Sequence, residues 1–178
     1  MSRKRVFAIC GSTRSQSVNH HILHQIAILY NDVLELQIFS GLTDLPHFNP
    51  DTKDDDISEY VQNLRSSIQR ADGVILCTPE YVFSLPGSLK NALEWTVSTT
   101  VFANKPTAII VASGLGEKAF ESLSVIMNTL GVQMDEGSKL LIQGARSKFS
   151  AKENSLDANT ESRIKTVMDS FIAQMDRA

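Results

Sequence analysis

The segment at residues 11–19, GSTRSQSVN, contains the side-chain types that bind a phosphate group. It follows an apolar run at residues 6–10 and precedes a stretch with helical spacing. Free backbone N–H groups and the positive end of the helix favour an anion there, and Arg14 adds a positive charge. No lysine follows a suitably spaced second glycine, so the loop suits a monophosphate better than ATP. An ordinary serine-rich N-capping loop is the alternative interpretation.

A second segment, TPEYVFSLPGSLKNALEW at residues 78–95, has the features of a rigid binding loop. Pro79 and Pro86 stiffen it, and Gly87 allows a close approach before the next helix. An extended backbone of this kind presents N–H and C=O groups to the edge of a flat heterocycle. The alternative is a proline-bounded loop whose aromatic side chains pack inward. For Glu80, an exposed or helix-capping carboxylate is favoured over a functional acid.

The third segment, ASGLGEK at residues 112–118, also precedes a helix. Ser113, Gly114 and Gly116 leave room for a ligand to lie against the main chain. A glycine-rich turn alone is weak evidence for a site. Three such loops are much stronger evidence if they meet at one place.

The apolar patterns predict how these loops are brought together. Strands are predicted at residues 6–10, 34–38, 73–78, 107–112 and near 140–142, and helices at about 22–30, 57–68, 86–97, 120–130 and 164–175. This βα alternation predicts a three-layer α/β sandwich with a five-stranded parallel sheet in the flavodoxin-like order 2-1-3-4-5. The loops after strands one, three and four then share the ligand-binding edge. Residues 147–160 are interpreted as a mobile surface connection.

Composition places the chain in a broad class. The 178 residues predict a single domain, 1–178, with a net charge of −3 and two cysteines. We expect no signal peptide and no membrane span, and the charge does not favour nucleic acid. Cys10 and Cys77 are interpreted as buried free thiols, which suits a cytoplasmic location.

Three motifs resemble those of a known family. The first loop resembles the G-S-x-R-x-x-S-x-N phosphate loop of the NAD(P)H-dependent FMN reductases, which include quinone, azo-dye and chromate reductases. PEYVFSLPGSLKNALEW resembles their P-E-Y-N-x-S-x-P-G-x-L-K-N-A-[IL]-[DE]-W segment, and LPHFNPD at residues 45–51 resembles their L-P-L-F-N-P-D loop. The resemblance covers about three-quarters of the chain.

The resemblance implies an FMN-dependent oxidoreductase that passes electrons from NADH or NADPH to a small acceptor. It implies that FMN contacts three groups of residues. The phosphate would be held by Ser12, Arg14, Ser17 and Asn19, the isoalloxazine would be lined by Pro79, Glu80, Tyr81 and Val82, and Ser113 and Gly114 would approach the ring.

The chain departs from the family pattern at two places. Val82 stands where the family usually has asparagine, so a polar side chain near the flavin is absent. Leu115 and Glu117 replace part of a more glycine-rich loop, which affects the usual approach of the nicotinamide. FMN binding is therefore the firmer expectation, and NADPH preference the weaker one.

The flavin supplies the reactivity, so we assign no protein residue as catalytic acid or base and expect no metal site. The helix that follows the first loop carries three histidines, which solvent exposure and packing explain. His47 is a minor candidate for bordering the pocket. Asn91 is expected to brace the loop before its helix. Quinones, azo compounds, metal oxyanions and free flavin all remain open as acceptors.

Three alternative functions differ in how well they fit the sequence. A tyrosine phosphatase is disfavoured because only three residues separate Cys10 from Arg14, where five are needed. A response regulator lacks its acidic cluster after strand one. An FMN-binding electron carrier or redox-responsive protein remains the serious alternative.

The chain is also expected to form a homodimer or homotetramer. The apolar residues between Trp95 and Phe102 are a candidate interface, and coverage of the sheet edge is the equal alternative.

Overall fold

The computed structural model describes residues 3–14, 16–150 and 155–178. Within them a parallel sheet of five strands has the order β2-β1-β3-β4-β5, as the sequence predicts. The strands are β1 Lys4–Cys10, β2 Leu34–Ile38, β3 Gly73–Thr78, β4 Thr107–Ala112 and β5 Lys139–Ile142. The helices are α1 Val18–Leu29, α2 Glu59–Arg70, α3 Gly87–Glu94, α4 Glu117–Thr129 and α5 Ala158–Arg177.

The helices cover both faces of the sheet because successive side chains of a strand point to opposite faces. In β1, Phe7 and Ile9 pack in the apolar cluster that includes α2, α3 and α4. Val6, Ala8 and Cys10 pack in the cluster that includes α1 and α5. β3 and β4 are buried along their whole length, whereas β2 alternates buried and exposed positions at the edge. The predicted three-layer sandwich is confirmed.

A short antiparallel hairpin lies outside this sheet. Its strands are β6 Phe149–Ser150 and β7 Ser155–Leu156, and the N–H of Asp157 donates to the carbonyl of Lys148 at 2.9 Å. The interpretation of residues 147–160 as a surface connection missed these strands and the start of α5 at Ala158, and the mobility of the segment stays a prediction. Two-residue strands in a polar stretch leave no periodic pattern to detect. Residues 151–154 lie outside the described part.

The segment 95–102, which the sequence indicates as a candidate interface, is anchored in the core of its own chain. Trp95 and Phe102 are buried in the core. The indole N–H of Trp95 also donates to the carbonyl of Pro46 at 2.7 Å. Both side chains therefore belong to the core on one face of the sheet, and coverage of the sheet edge by residues 95–102 stays a prediction.

None of the helices in the described ranges is both long and apolar enough to cross a membrane.

A tight hairpin follows β3 and contains two of the three non-glycine residues that have positive φ in the described part of the chain. Tyr81 and Ser84 exchange two backbone hydrogen bonds of 3.0 Å. The two residues between them, Val82 and Phe83, have φ of 51° and 55°, as a type I′ turn requires. Asparagine and glycine favour such positions, whereas a β-branched residue is strained there.

Replacing Val82 with asparagine is expected to relieve this strain. We expect Val82→Asn to raise the free energy of unfolding by about 1 kcal/mol, measured by urea denaturation of the flavin-free protein. Val97→Asn is the matched control, since Val97 is also exposed and is not among the positive-φ residues. An equal effect of both substitutions would show that backbone strain is not the cause.

Candidate functional site

An open cleft of about 940 Å³ lies where the carboxyl ends of β1, β3, β4 and β5 meet. This is the edge at which open α/β sheets bind ligands. Nine of the ten site residues predicted from sequence line it: Ser12, Arg14, Ser17, Asn19, Pro79, Glu80, Tyr81, Ser113 and Gly114. The three predicted loops therefore do converge. Which of these residues contact a ligand stays a prediction.

The loop after β1 is held tightly against β3. The N–H of Gly11 donates to the carbonyl of Cys77 at 2.9 Å. A Cβ at Gly11 would lie 2.1 Å from Oγ1 of Thr78, so only glycine fits this approach. Ser12 Oγ then accepts from the N–H of Arg14 at 3.3 Å, which stabilises the turn.

The start of α1 is capped within the cleft. Ser17 is the N-cap residue, and its Oγ accepts from the N–H of His20 at 3.2 Å. The ring Nε2 of His20 lies 3.1 Å from the carbonyl of Ser12. The N-capping interpretation of the serines is thus confirmed for Ser17. Such capping coexists with anion binding, because other N–H groups of the first turn remain without helical partners.

Arg14 is the free charge of this loop. Its side chain is exposed and forms no hydrogen bond or ion pair with the described part of the chain. It lies beside the positive end of α1, where a negative group is stabilised. The loop therefore has the electrostatics of an anion site.

Asn19 connects three elements beneath the cleft. Its Nδ2 donates to the carbonyl of Ala112 at 3.1 Å, and its Oδ1 accepts from the thiol of Cys77 at 3.3 Å. Burial raises the pKa of the Cys77 thiol well above its usual range, so the thiol keeps the proton that it donates. Asn19 therefore positions α1 against β3 and β4. Sequence reasoning missed this role, and direct contact with a phosphate stays a prediction.

Glu80 caps a helix, as the sequence favours. Its Oε1 accepts from the N–H of Gly116 at 3.2 Å and its Oε2 from the N–H of Ala119 at 3.0 Å. These groups lie at the positive end of α4, which a carboxylate stabilises. The loop after β3 is thereby attached to the loop after β4.

The loop after β4 presents an open surface. A Cβ at Gly114 would meet nothing within 4 Å, so its main chain is accessible to a ligand. On the other side, Gly144 N–H donates to the carbonyl of Gly114 and Ala145 N–H to that of Ser113, both at 3.0 Å. The loop after β5 is thus fixed to this surface.

Val82 is the predicted site residue that does not line the cleft. It lies at the tip of the hairpin and is 95% exposed. Its neighbour Tyr81 does line the cleft, at 43% exposure. Replacing the family's asparagine therefore changes the backbone preference of the turn more directly than the polarity of the cleft.

One wall of the cleft was not predicted. It comprises His21 and residues after β5, namely Gly144, Ala145, Arg146, Ser147 and Phe149. The rings of His21 and Phe149 stack, with centroids 4.3 Å apart and planes at 20°. A signal was available: Phe149 is the one aromatic residue in the polar stretch 143–160.

The structure differs from two minor expectations, one for His47 and one for Asn91. His47 is exposed and is not among the residues that line the cleft. Asn91 does brace a loop, but not the one before its helix: it accepts from Phe48 N–H at 2.7 Å and donates to the carbonyl of Pro46 at 2.9 Å. That expectation was wrong because the partner loop follows β2 and is distant in sequence.

Cys10 is buried and free, as is Cys77. Burial raises the pKa of the Cys10 thiol, an effect partly offset by hydrogen bonds from the Ser12 backbone and the Ser17 side chain. A phosphatase nucleophile needs the thiolate, which this environment disfavours. The phosphatase alternative therefore gains no support.

Comparisons with known proteins agree with this geometry. A family model described as NADPH-dependent FMN reductase matches residues 4–144. A 2-hydroxy-1,4-benzoquinone reductase from Burkholderia sp. is 30% identical over 175 residues, covering 95% of this chain and 94% of its own. Subunit 2 of an NADH-dependent flavin reductase from Lactobacillus johnsonii is 28% identical and covers 98% of both chains.

Among solved structures, the flavoenzyme NAD(P)H:(acceptor) oxidoreductase FerB from Paracoccus denitrificans is similar over 98% of both chains. The TM-score is 0.85, at 29% sequence identity. The family model covers all three loops that meet at the cleft, including the phosphate-type loop with Arg14 and the capped loop with Glu80. The chain belongs to the NADPH-dependent FMN reductase family.

Proposed function

We propose that this chain is an FMN-dependent oxidoreductase that passes electrons from NADH or NADPH to a small acceptor. The observation that carries the proposal is the cleft itself. It joins Arg14, whose side chain has no partner in the described part of the chain, and the capped start of α1 to the open main chain at Gly114. An anionic, flat ligand with one phosphate group fits this combination.

The residues present fit FMN. Ser12, Arg14 and Ser17 would hold the phosphate, and the segment Pro79 to Tyr81 would face Ser113 and Gly114 across the ring. Asn19 would act chiefly by holding the loops that surround the phosphate. A cleft of about 940 Å³ is within the size range of small-molecule sites.

FMN, when bound, supplies the redox chemistry between nicotinamide and acceptor. The protein has to bind the electron donor and then the acceptor, and it has to hold the loops of the cleft in fixed positions. Glu80, the one carboxylate among the described residues that line the cleft, is occupied by its bonds to α4. We therefore assign no acid or base to the protein.

Quinones and free flavin are the acceptors that the relatives favour, since one is named a benzoquinone reductase and another a flavin reductase. Azo compounds and metal oxyanions are further candidates of the same small size. We also propose one FMN-binding domain over residues 1–178 and a cytoplasmic location. Two buried free thiols agree with a reducing compartment.

Finally, we propose that a second copy covers the exposed rim of the cleft in a homodimer, or in a homotetramer built from it. The hairpin tip exposes Val82 by 95% and Phe83 by 69%, and Leu115 is 55% exposed on the neighbouring loop. Clustered large apolar side chains of this kind favour a protein interface.

The first prediction concerns the phosphate loop. Purified protein is expected to bind one FMN, and NADH or NADPH is expected to bleach its flavin absorbance rapidly in a stopped-flow experiment. Arg14→Ala is expected to weaken FMN binding about 10- to 100-fold, because a charge-assisted hydrogen bond is lost. Binding is followed by quenching of flavin fluorescence.

The control for Arg14 is Arg70→Ala, which removes the same charge from an exposed position outside the cleft. A protein that stays colourless with added FMN contradicts the proposed function. Reduction by a protein donor but not by NADH or NADPH would identify an electron carrier instead.

The second prediction separates positioning from direct binding. Asn19→Ala leaves the buried carbonyl of Ala112 and thiol of Cys77 without these partners, and is expected to lower the free energy of unfolding by about 2 kcal/mol. Urea denaturation of the flavin-free protein measures it, with the exposed Asn159→Ala as control. Unchanged stability with weaker FMN binding would instead make Asn19 a direct phosphate ligand.

The third prediction tests the interface. Sedimentation equilibrium is expected to give at least twice the 19.6 kDa chain mass, and Phe83→Asp is expected to shift the protein towards monomer. Aspartate tolerates the positive φ of this position. Val125→Asp, a similarly exposed site on α4, should leave the mass unchanged. A monomeric parent protein would contradict the proposal.

A further inference from the structure

The cleft extends beyond the part of the chain that the family model matches. The match ends at residue 144, but Ala145, Arg146, Ser147 and Phe149 also line the cleft. The family model therefore says nothing of what this wall binds, and the chemistry of the wall has to indicate the ligand.

This wall is fixed in position by the main chain. Gly144 has a φ of 62° and turns the chain out of β5. Its N–H and that of Ala145 donate to the loop after β4, and Ser147 N–H donates back to the carbonyl of Gly144 at 3.0 Å. Arg146 lies inside this bonded turn, so its backbone is positioned before any ligand arrives.

The side chain of Arg146 is uncommitted. It is exposed on the cleft and makes no hydrogen bond or ion pair with the described residues. Glu80, the one carboxylate among the lining residues, is already bonded to α4. Arg146 therefore has no counter-ion among the described residues that line the cleft.

Arg14 and Arg146 line the same cleft from loops that follow different strands. Arg14 follows β1 and Arg146 follows β5, and these strands are three intervals apart in the sheet. At about 4.8 Å per interval, the strands are separated by roughly 14 Å. FMN has a single phosphate group, which the loop of Arg14 is built to hold. The two loops therefore begin well apart, and a second cation outside the phosphate-type loop favours a second anionic group.

We propose that Arg146 binds a phosphate group of the dinucleotide electron donor. This inference rests on the proposed function, in which NADH or NADPH enters the same cleft. Both donors carry a pyrophosphate, and NADPH has an additional 2′-phosphate. A planar guanidinium with five donors suits either group. The stacked rings of His21 and Phe149 border the same wall and present an aromatic surface beside the anion.

The test compares Arg146→Ala and Arg146→Lys with the parent protein. Binding of adenosine 2′,5′-bisphosphate and of ADP is measured by calorimetry, with and without FMN. FMN affinity is measured by fluorescence, and the KM for NADPH and for NADH by steady-state kinetics. Arg70→Ala is the matched control. Arg70 is exposed and lines a separate pocket at the amino ends of β1, β3 and β4, whereas the cleft lies at their carboxyl ends.

We expect Arg146→Ala to weaken binding of at least one nucleotide about 10- to 100-fold, with FMN affinity unchanged. Arg146→Lys should recover part of the loss, since it keeps the charge but not the planar fork. Loss for the bisphosphate and NADPH alone indicates the 2′-phosphate. Loss for ADP and for both donors indicates the pyrophosphate.

Two results would overturn the inference. Unchanged nucleotide binding and KM would show that Arg146 binds no donor phosphate, and a fall in FMN affinity would assign it to the flavin phosphate. Failure of the proposed function is recognised separately, as a parent protein that does not bind FMN. In that case nucleotide binding to the flavin-free protein still decides the role of Arg146.

Discussion

The amide of Asn19 is the contact on which the arrangement of the cleft depends. It lies at the start of α1 and bonds simultaneously to Cys77 at the end of β3 and Ala112 at the end of β4. Buried polar groups destabilise a protein unless they are paired, so this geometry is strongly specified. The phosphate-type loop before α1 is thereby held in register with the two loops opposite. The raised pKa of the Cys77 thiol belongs to the same arrangement, because a thiolate could not donate to Asn19.

A second set of contacts explains why the long motif around Asn91 and Trp95 accompanies the LPHFNPD loop. Both side chains donate to the carbonyl of Pro46, and the ring of Phe48 meets that of Trp95 edge to face at 5.2 Å. None of these groups lines the cleft. Their residue types are needed to attach the loop after β2 to α3, the helix that follows the hairpin. Much of what resembles a binding motif is therefore the framework of the site.

The sequence predicts the sheet, its order and the convergence of the three loops, because apolar periodicity and the rules for parallel strands determine them. It also indicates the capping role of Glu80. It does not predict the bonds of Asn19, whose partners lie 58 and 93 residues away. Phe149 stands out in the sequence as a lone aromatic residue, but its stacking partner His21 comes from another element and was not predictable. Such contacts arise from tertiary packing and leave no local pattern.

The distribution of charge explains how an acidic protein attracts an anionic ligand. The net charge is −3, yet Glu80 is bonded to α4, while Arg14 and Arg146 face the cleft and have no partner among the described residues. At physiological ionic strength, charges beyond about 8 Å are largely screened. The nearby guanidinium groups and the positive end of α1 therefore outweigh the distant surface carboxylates. Because both arginines are exposed, their contribution must decrease as salt increases, whereas the bonds of Asn19 beneath the cleft are shielded from it.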